Sequence, residues 1–183
     1  KGAYDERLVL LKLDSLGNML WLKYPADTIN TINPIKLIQT RDNGLAILGY
    51  QPSYGNFILK TDSVGNLLWK IRYPDTLFAY TWLYDLIETL DGGFILCGGY
   101  TLNYKIHPTA QDIGYIIKTD SIGNIKWKKT YIDSTFNNLG HIIQFPDSNY
   151  FVMGSTYNNW DRRYAMSKKL KSNGEVVWTR LFQ

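Results

Sequence analysis

Short runs rich in β-branched and aromatic residues recur along the chain, each closed by a cluster of Asp, Asn, Ser and Gly. Runs of this kind, punctuated by turn residues, predict strands and hairpins. No segment carries the sustained 3.6-residue period and the caps of a helix. Residues 7–13 and 18–24 predict a hairpin that ends at Tyr24-Pro25. Residues 35–40 and 45–50 predict two strands about the turn Arg41-Asp42-Asn43-Gly44, and a second hairpin follows over 56–73. The same order of four strands, labelled A to D, returns over 84–131 and over 139–182. The A–B turns there are Leu90-Asp91-Gly92-Gly93 and Pro146-Asp147-Ser148-Asn149. Several strands are apolar at consecutive positions, the pattern of sheets covered on both faces. The reading is all-β with fourteen strands: an N-terminal half blade over 4–24 and four-stranded antiparallel blades over 35–73, 84–131 and 139–182.

One stretch organises this pattern. Leu59-Lys60-Thr61-Asp62-Ser63-Val64-Gly65-Asn66-Leu67-Leu68-Trp69 has counterparts that end at Trp21, Trp127 and Trp178, at steps of 48, 58 and 51 residues. A period of that size marks a stacked or radial array of blade-sized units. Within the stretch, Asp opens a turn in which its carboxylate accepts local N–H groups, and Gly takes the position that needs φ > 0. The last copy replaces Asp by Lys171 but keeps Gly174, so the backbone demand is the stricter one. Trp21, Trp69, Trp127 and Trp178 stand just inside the returning strands, where a large side chain can dock against a neighbouring blade. Trp69 and Trp127 are expected to be buried there.

Four-stranded repeats with a docking Trp predict a β-propeller. The segments 91–100 and 115–131 carry Asp-Gly-Gly-Phe-Ile-Leu-Cys-Gly-Gly-Tyr and Tyr-Ile-Ile-Lys-Thr-Asp-Ser-Ile-Gly-Asn-Ile-Lys-Trp-Lys-Lys-Thr-Tyr. They resemble the propeller repeats of secreted and cell-surface Bacteroidota proteins, many of which carry a sorting domain for type IX secretion. The resemblance covers nearly the whole chain. It implies export, and it leaves the ligand open. The D-x-x-G-x-x-x-W core also resembles the tryptophan-docking repeat of quinone-dependent propellers. It is similar to the sialidase Asp-box too, with an extra residue on each side of Gly. Both motifs are structural in their families and imply no chemistry here. Four C–D hairpins against three A–B pairs make an arc of three and a half blades, whereas a ring needs about four. The chain therefore reads as a fragment of a larger propeller, with the remainder of that propeller as one partner. Without an initiator Met or a signal peptide, it is expected to begin mid-protein or after processing.

Composition narrows the function. The chain has 183 residues, 45% of them hydrophobic, and a net charge of +4 from scattered Lys and Arg. No basic stripe suggests nucleic acid, and no apolar run approaches the ~20 residues of a membrane helix. Cys97, alone in its type, lies in an apolar strand pattern and reads as a buried thiol. Asp14, Asp62 and Asp120 recur at one turn. Each turn offers too few oxygens for Ca²⁺, so capping is the expected role. His107 and His141 lack a metal-ligand spacing. Asp85 and Glu88 lie three apart on a strand, on opposite faces, and cannot form a catalytic pair. Lys12, Lys60, Lys118 and Lys169 end the C strands and are expected to be solvated. No catalytic set, metal site or cofactor motif stands out, so a non-catalytic reading is preferred.

Successive strands reverse direction, so the A–B and C–D turns leave from one end of each blade and the B–C and D–A loops from the other. The first set is short and nearly constant, while the second varies in length and content. Varied loops on a rigid array commonly mark the binding face. Phe78, Tyr80, Trp82, Tyr104, His107, Trp160, Arg162 and Arg163 are placed in these loops and are of types enriched at interfaces. The expectation is a binding or scaffold module, secreted or on the cell surface, that takes a protein or glycan partner on this face. The alternative is a carbohydrate-active propeller, a lectin or a sialidase-like hydrolase, with its catalytic groups elsewhere.

Overall fold

The computed structural model describes residues 7–25, 32–52, 54–73, 79–102, 112–132, 136–157 and 163–182. These residues contain fourteen strands and no helix. The chain divides into two compact units, residues 1–74 and 75–183. The first unit holds a two-stranded hairpin, β1 (Leu10–Leu13) and β2 (Met19–Lys23), and a four-stranded sheet. That sheet runs through β3 (Asn33–Gln39), β4 (Leu45–Gln51), β5 (Gly55–Thr61) and β6 (Leu67–Tyr73). The second unit holds two four-stranded sheets. One runs through β7 (Ala79–Glu88), β8 (Phe94–Leu102), β9 (Asp112–Thr119) and β10 (Ile125–Tyr131). The other comprises β11 (Phe136–Gln144), β12 (Tyr150–Tyr157), β13 (Arg163–Leu170) and β14 (Val176–Phe182). Every sheet is an antiparallel meander in sequence order. The chain is all-β: three four-stranded propeller-type blades and a half blade.

The turns close as their residues demand. In the β5–β6 turn, Asp62 Oδ1 accepts the N–H groups of Val64 (3.0 Å) and Asn66 (2.8 Å), and Asn66 Nδ2 donates to Asp62 Oδ2 (2.9 Å). Gly65 sits at φ +83°, a conformation that a Cβ strains. The Asp14 and Asp120 turns repeat this bonding. In the last copy Gly174 keeps φ +80° without the Asp. Asn173 Oδ1 there accepts the Glu175 N–H, and a Lys171–Glu175 ion pair at 2.9 Å spans the turn.

Each A strand carries a bulge opposite a glycine of strand B. The register slips at Pro34/Lys36 beside Gly49, at Leu83/Asp85 beside Gly98 and at Leu139/His141 beside Gly154. A Cβ on Gly98 would run into the Trp82 carbonyl oxygen, and one on Gly154 into that of Asn138. These close approaches explain why strand B keeps a Gly at this level.

In the first unit, Leu8 and Leu10 of the half blade pack on Ile47, Phe57 and Leu59 of the sheet, with Ile32 in the same core. In the second unit, Ile95, Cys97, Ile116 and Tyr131 of one sheet meet Leu139, Ile142, Tyr150, Val152, Met166 and Leu170 of the other. Cys97 is fully buried in this core. Trp21 and Trp127 dock as the repeat requires. A Cβ on Gly65 would lie 2.9 Å from the Trp21 ring, and one on Gly174 would lie 2.9 Å from the Trp127 ring. The Trp127 ring also meets Tyr150 edge-on, with centroids 6.5 Å apart. Trp69 and Trp127 were expected to be buried, but both are half-buried.

Candidate functional site

The two ends of the blades differ in kind. At the constant end the C-strand lysines are not all solvated strand ends. Lys60 and Lys118 are buried, at 5% and 4% exposure, whereas Lys12 is exposed and Lys169 half-buried. Lys60 Nζ donates to both oxygens of Asp42 (3.0 and 2.8 Å) and to the Thr61 carbonyl (2.8 Å). Lys118 Nζ repeats the set on Asp91 (2.9 and 3.1 Å) and the Thr119 carbonyl (2.8 Å). Each lysine pins the A–B turn of its blade to the end of strand C. The threonine two residues before each Asp adds a hydroxyl bond of 2.6 Å, from Thr40 to Asp42 and from Thr89 to Asp91. Hydrogen bonds from Lys60 and Thr40 lower the Asp42 pKa to about 2. Burial pushes Asp91 upward, but bonds from Thr89, Lys126 and Lys118 outweigh it and hold the carboxyl well below the usual range. Burial draws the Lys118 ammonium downward against the opposing pull of Asp91. The pairing was legible in retrospect: Thr-x-Asp in the A–B turn travels with Lys-Thr-Asp at the end of strand C. The last blade has Phe145 and Pro146 before Asp147, and there Lys169 Nζ lies over the Phe145 ring instead, 5.9 Å from its centroid.

The bulges of β7 and β11 in the second unit hold the candidate site. Tyr80 and Trp82 were expected in a loop, and both belong to β7. Arg163 likewise opens β13. Strand A begins at Ala79 because its bulge lets the chain stay paired with β8 as far as Leu102. Trp82 is 45% exposed, and Tyr84, the extra residue of the bulge, is also exposed. Phe78, Tyr104, His107, Trp160 and Arg162 lie outside the described residues.

Residues that the sequence did not single out as binding surround Tyr84. The Tyr84 hydroxyl accepts from Asn138 Nδ2 of the neighbouring sheet at 3.4 Å. Asn138 Oδ1 is buried with no hydrogen-bond partner among the described residues. A cleft of about 390 Å³ is lined by Tyr84, Asn138, Gly140, His141, Gly154 and Ser155. His141 presents a side chain that is 76% exposed.

Asp85 lies beside His141, next to this cleft. Its carboxylate is buried and accepts the N–H of Leu86 at 3.0 Å and that of Ile142, on the other sheet, at 3.1 Å. His141 Nδ1 stands 3.7 Å from the same oxygen that takes the Ile142 N–H. Asp85 thus latches two sheets together. Chemically the cleft offers a phenol ring, an amide whose oxygen has no partner among the described residues, and an imidazole, beside the bulges of β7 and β11. These groups bind and orient. Among the described residues no group of three or more His, Cys, Asp or Glu is placed to hold a metal ion. No helix of the described residues is long and apolar enough to cross a membrane. In comparison with known proteins, no family model matches the chain and no curated protein does.

Proposed function

We propose that the chain is a non-catalytic binding or scaffold module of a secreted or cell-surface protein. It takes a protein or glycan partner through the end of its blades that carries the B–C and D–A connections. The contrast between the two ends carries this reading. The turns over residues 14–18, 40–44, 62–66, 89–93, 120–124, 145–149 and 171–175 share one length. The B–C connections over 52–54, 103–111 and 158–162 do not, nor do the D–A connections over 24–32, 74–78 and 132–135. A scaffold that holds one end constant and varies the other places its specificity on the varied end. The resemblance to Bacteroidota surface propellers supports the location.

The cleft lined by Tyr84, Asn138 and His141, with the exposed Trp82 on the same strand as Tyr84, favours a glycan over a protein. Ring faces accept the apolar face of a sugar, while amide and imidazole groups bond its hydroxyls. The same cleft suits a carbohydrate-active propeller, in which catalytic groups would be supplied from elsewhere. The test is a glycan array probed with the labelled chain and with Trp82→Ala, Asn138→Ala and Trp160→Ala, each checked for an unchanged melting temperature. Array signal that Trp82→Ala or Asn138→Ala removes supports the proposal. Signal that survives all three and disappears on changes in the Asp62–Asn66 turn overturns it.

A further inference from the structure

In the first unit, one face of the β3–β6 sheet gathers buried donors that have no acceptor. Gln51 pairs with Gly55, Phe57 with both Gly49 and Arg72, and Leu59 with Lys70. Strand alternation therefore puts Gln51, Phe57, Lys70 and Arg72 on the same face. The glycines clear space between them. A Cβ on Gly49 would run into the Phe57 ring, so that ring lies across strand β4. Gly55, at φ +79°, sets no side chain beside Gln51.

Three donors stand on this cleared face. Lys70 Nζ lies over the Phe57 ring, 4.3 Å from its centroid. It is buried and has no hydrogen-bond partner among the described residues. Gln51 is 1% exposed, and its Nε2 also lacks a partner among them. Arg72 orients that amide by donating to Gln51 Oε1 at 3.3 Å, which leaves Nε2 as the open end. The Arg72 guanidinium is exposed and lies over the ring of Tyr54, itself exposed, at 4.7 Å. The contrast with the constant end is direct. Lys60 and Lys118 each bond a carboxylate and a carbonyl. Lys70 has an aromatic ring and a second cation instead, and burial and Arg72 both draw its pKa downward. Buried donors are normally paired. Two orphan donors beside a guanidinium lack one thing, an anionic acceptor.

We propose that this face is a subsite for a carboxylate. One oxygen accepts from Lys70 Nζ, and the other accepts from Gln51 Nε2 and the Arg72 guanidinium, as charge-assisted bonds. Arg72 and Tyr54 form the exposed side of the site, and the acid enters past them. Two oxygens match the two orphan donors. A tetrahedral dianion would bring further oxygens that only Phe57 and Leu59 could face. Gln51 closes β4 and Tyr54 lies in the β4–β5 connection, so the subsite belongs to the varied end of its blade. The carboxylate is that of a small free acid or of an acidic sugar. The assignment stands on the donors and does not rest on the glycan reading of the second unit.

The test uses sodium acetate and sodium glucuronate on the full chain, against sodium chloride at equal ionic strength and against glucose. Both acids are expected to raise the melting temperature and to shift the Gln51 side-chain amide signals saturably in NMR, while glucose does neither. Tighter binding of glucuronate than of acetate identifies an acidic sugar as the source, and equal binding identifies the carboxylate alone. Lys70→Met and Gln51→Leu, each with native circular dichroism, are expected to weaken acetate about tenfold, the worth of one hydrogen bond to a charged group. A wild type whose Gln51 signals respond to neither acid overturns the proposal. So does sulfate that binds more tightly than acetate, or an unchanged acetate affinity in the folded variants. Trp82→Ala is expected to bind acetate normally. Acetate binding with a blank glycan array leaves this subsite standing, and array signal without an acetate response removes this subsite alone.

Discussion

The β7–β10 and β11–β14 sheets are two copies of one plan, and their differences show what each part of the plan contributes. The first has its Lys118–Asp91 pin and its Thr89 hydroxyl bond, and its Trp127 lies on the glycine of the following turn. The second has Phe145 where the first has Thr89, and its Lys169 lies over that ring. Its Trp178 meets Phe151 of its own sheet edge-on, at 6.0 Å. The turn shape survives both changes, because φ > 0 at Ser148 and at Gly174 is a backbone requirement. The polar pin does not survive, because it needs the whole Thr, Asp and Lys set at once. A buried ammonium with a partner missing costs more than an apolar contact that replaces it.

The largest expected asymmetry is in the tryptophans. Trp127→Ala should cost about 3 kcal/mol, at the lower edge of large aromatic deletions because the ring is half-buried. Trp178→Ala should cost about 1 kcal/mol, since among the described residues the ring meets Phe151 and Arg180 of its own sheet. Urea unfolding of both variants measures the gap, and equal losses would remove the distinction between a docked and an undocked ring.

The pins come next. Asp91→Ala leaves the Lys118 ammonium buried with the Thr119 carbonyl as acceptor and should cost about 2 kcal/mol. Asp147→Ala, whose carboxylate bonds the Asn149 backbone N–H and side chain in an exposed turn, should cost under about 1 kcal/mol. Adding Lys118→Met to Asp91→Ala should recover part of the loss in the same unfolding experiment. No recovery would show that the ammonium was already well solvated.

A smaller effect belongs to one hydroxyl. Tyr131→Phe removes the bond to the Gly174 carbonyl and should cost about 1 kcal/mol. Phe182→Tyr at the matching place of the last sheet should leave the melting temperature unchanged. A comparable shift in both variants would mean that the hydroxyl does not bridge the sheets.

The mildest test is acid. Asp42 and Asp91 have folded pKa values below those of the unfolded chain, so their stabilisation is fully present above the ordinary carboxylate range near ~4. It is lost as pH falls through the folded values, about 2 for Asp42. Thermal melts between pH 5 and 2 should therefore fall less steeply for Asp42→Asn and Asp91→Asn than for the wild type. Asp147→Asn should change the slope less, because that carboxylate is held mainly by the Asn149 hydrogen bonds and Lys169 acts on it only through space. Identical slopes in all four proteins would exclude the pins as the acid-sensitive element.

Local rules reach a long way in this chain. The Asp–x–x–Gly turns, the strand pairs around them and the spacing of Trp21, Trp69, Trp127 and Trp178 follow from residues close in sequence. A turn's φ and a hairpin's pairing depend on few neighbours, so four-stranded blades could be read without coordinates. The ends of strand A could not. Tyr80 and Trp82 look like loop residues because Trp82-Leu83-Tyr84-Asp85 breaks the two-residue alternation. Only pairing with β8 shows that the break is a bulge opposite Gly98. The lysines were misread for a related reason. An ammonium at a strand end is solvated by default, and Lys60 and Lys118 are buried only because Asp42 and Asp91, from another hairpin, close over them. Asn138 and His141 carry no motif, and Asp85 was weighed only as half of a catalytic pair with Glu88. They enter the site because two sheets meet along β7 and β11, and the Ile142 N–H needs an acceptor there. Contacts within a hairpin are written in adjacent residues, whereas contacts between sheets depend on which faces pack, and that is settled only when the sheets come together.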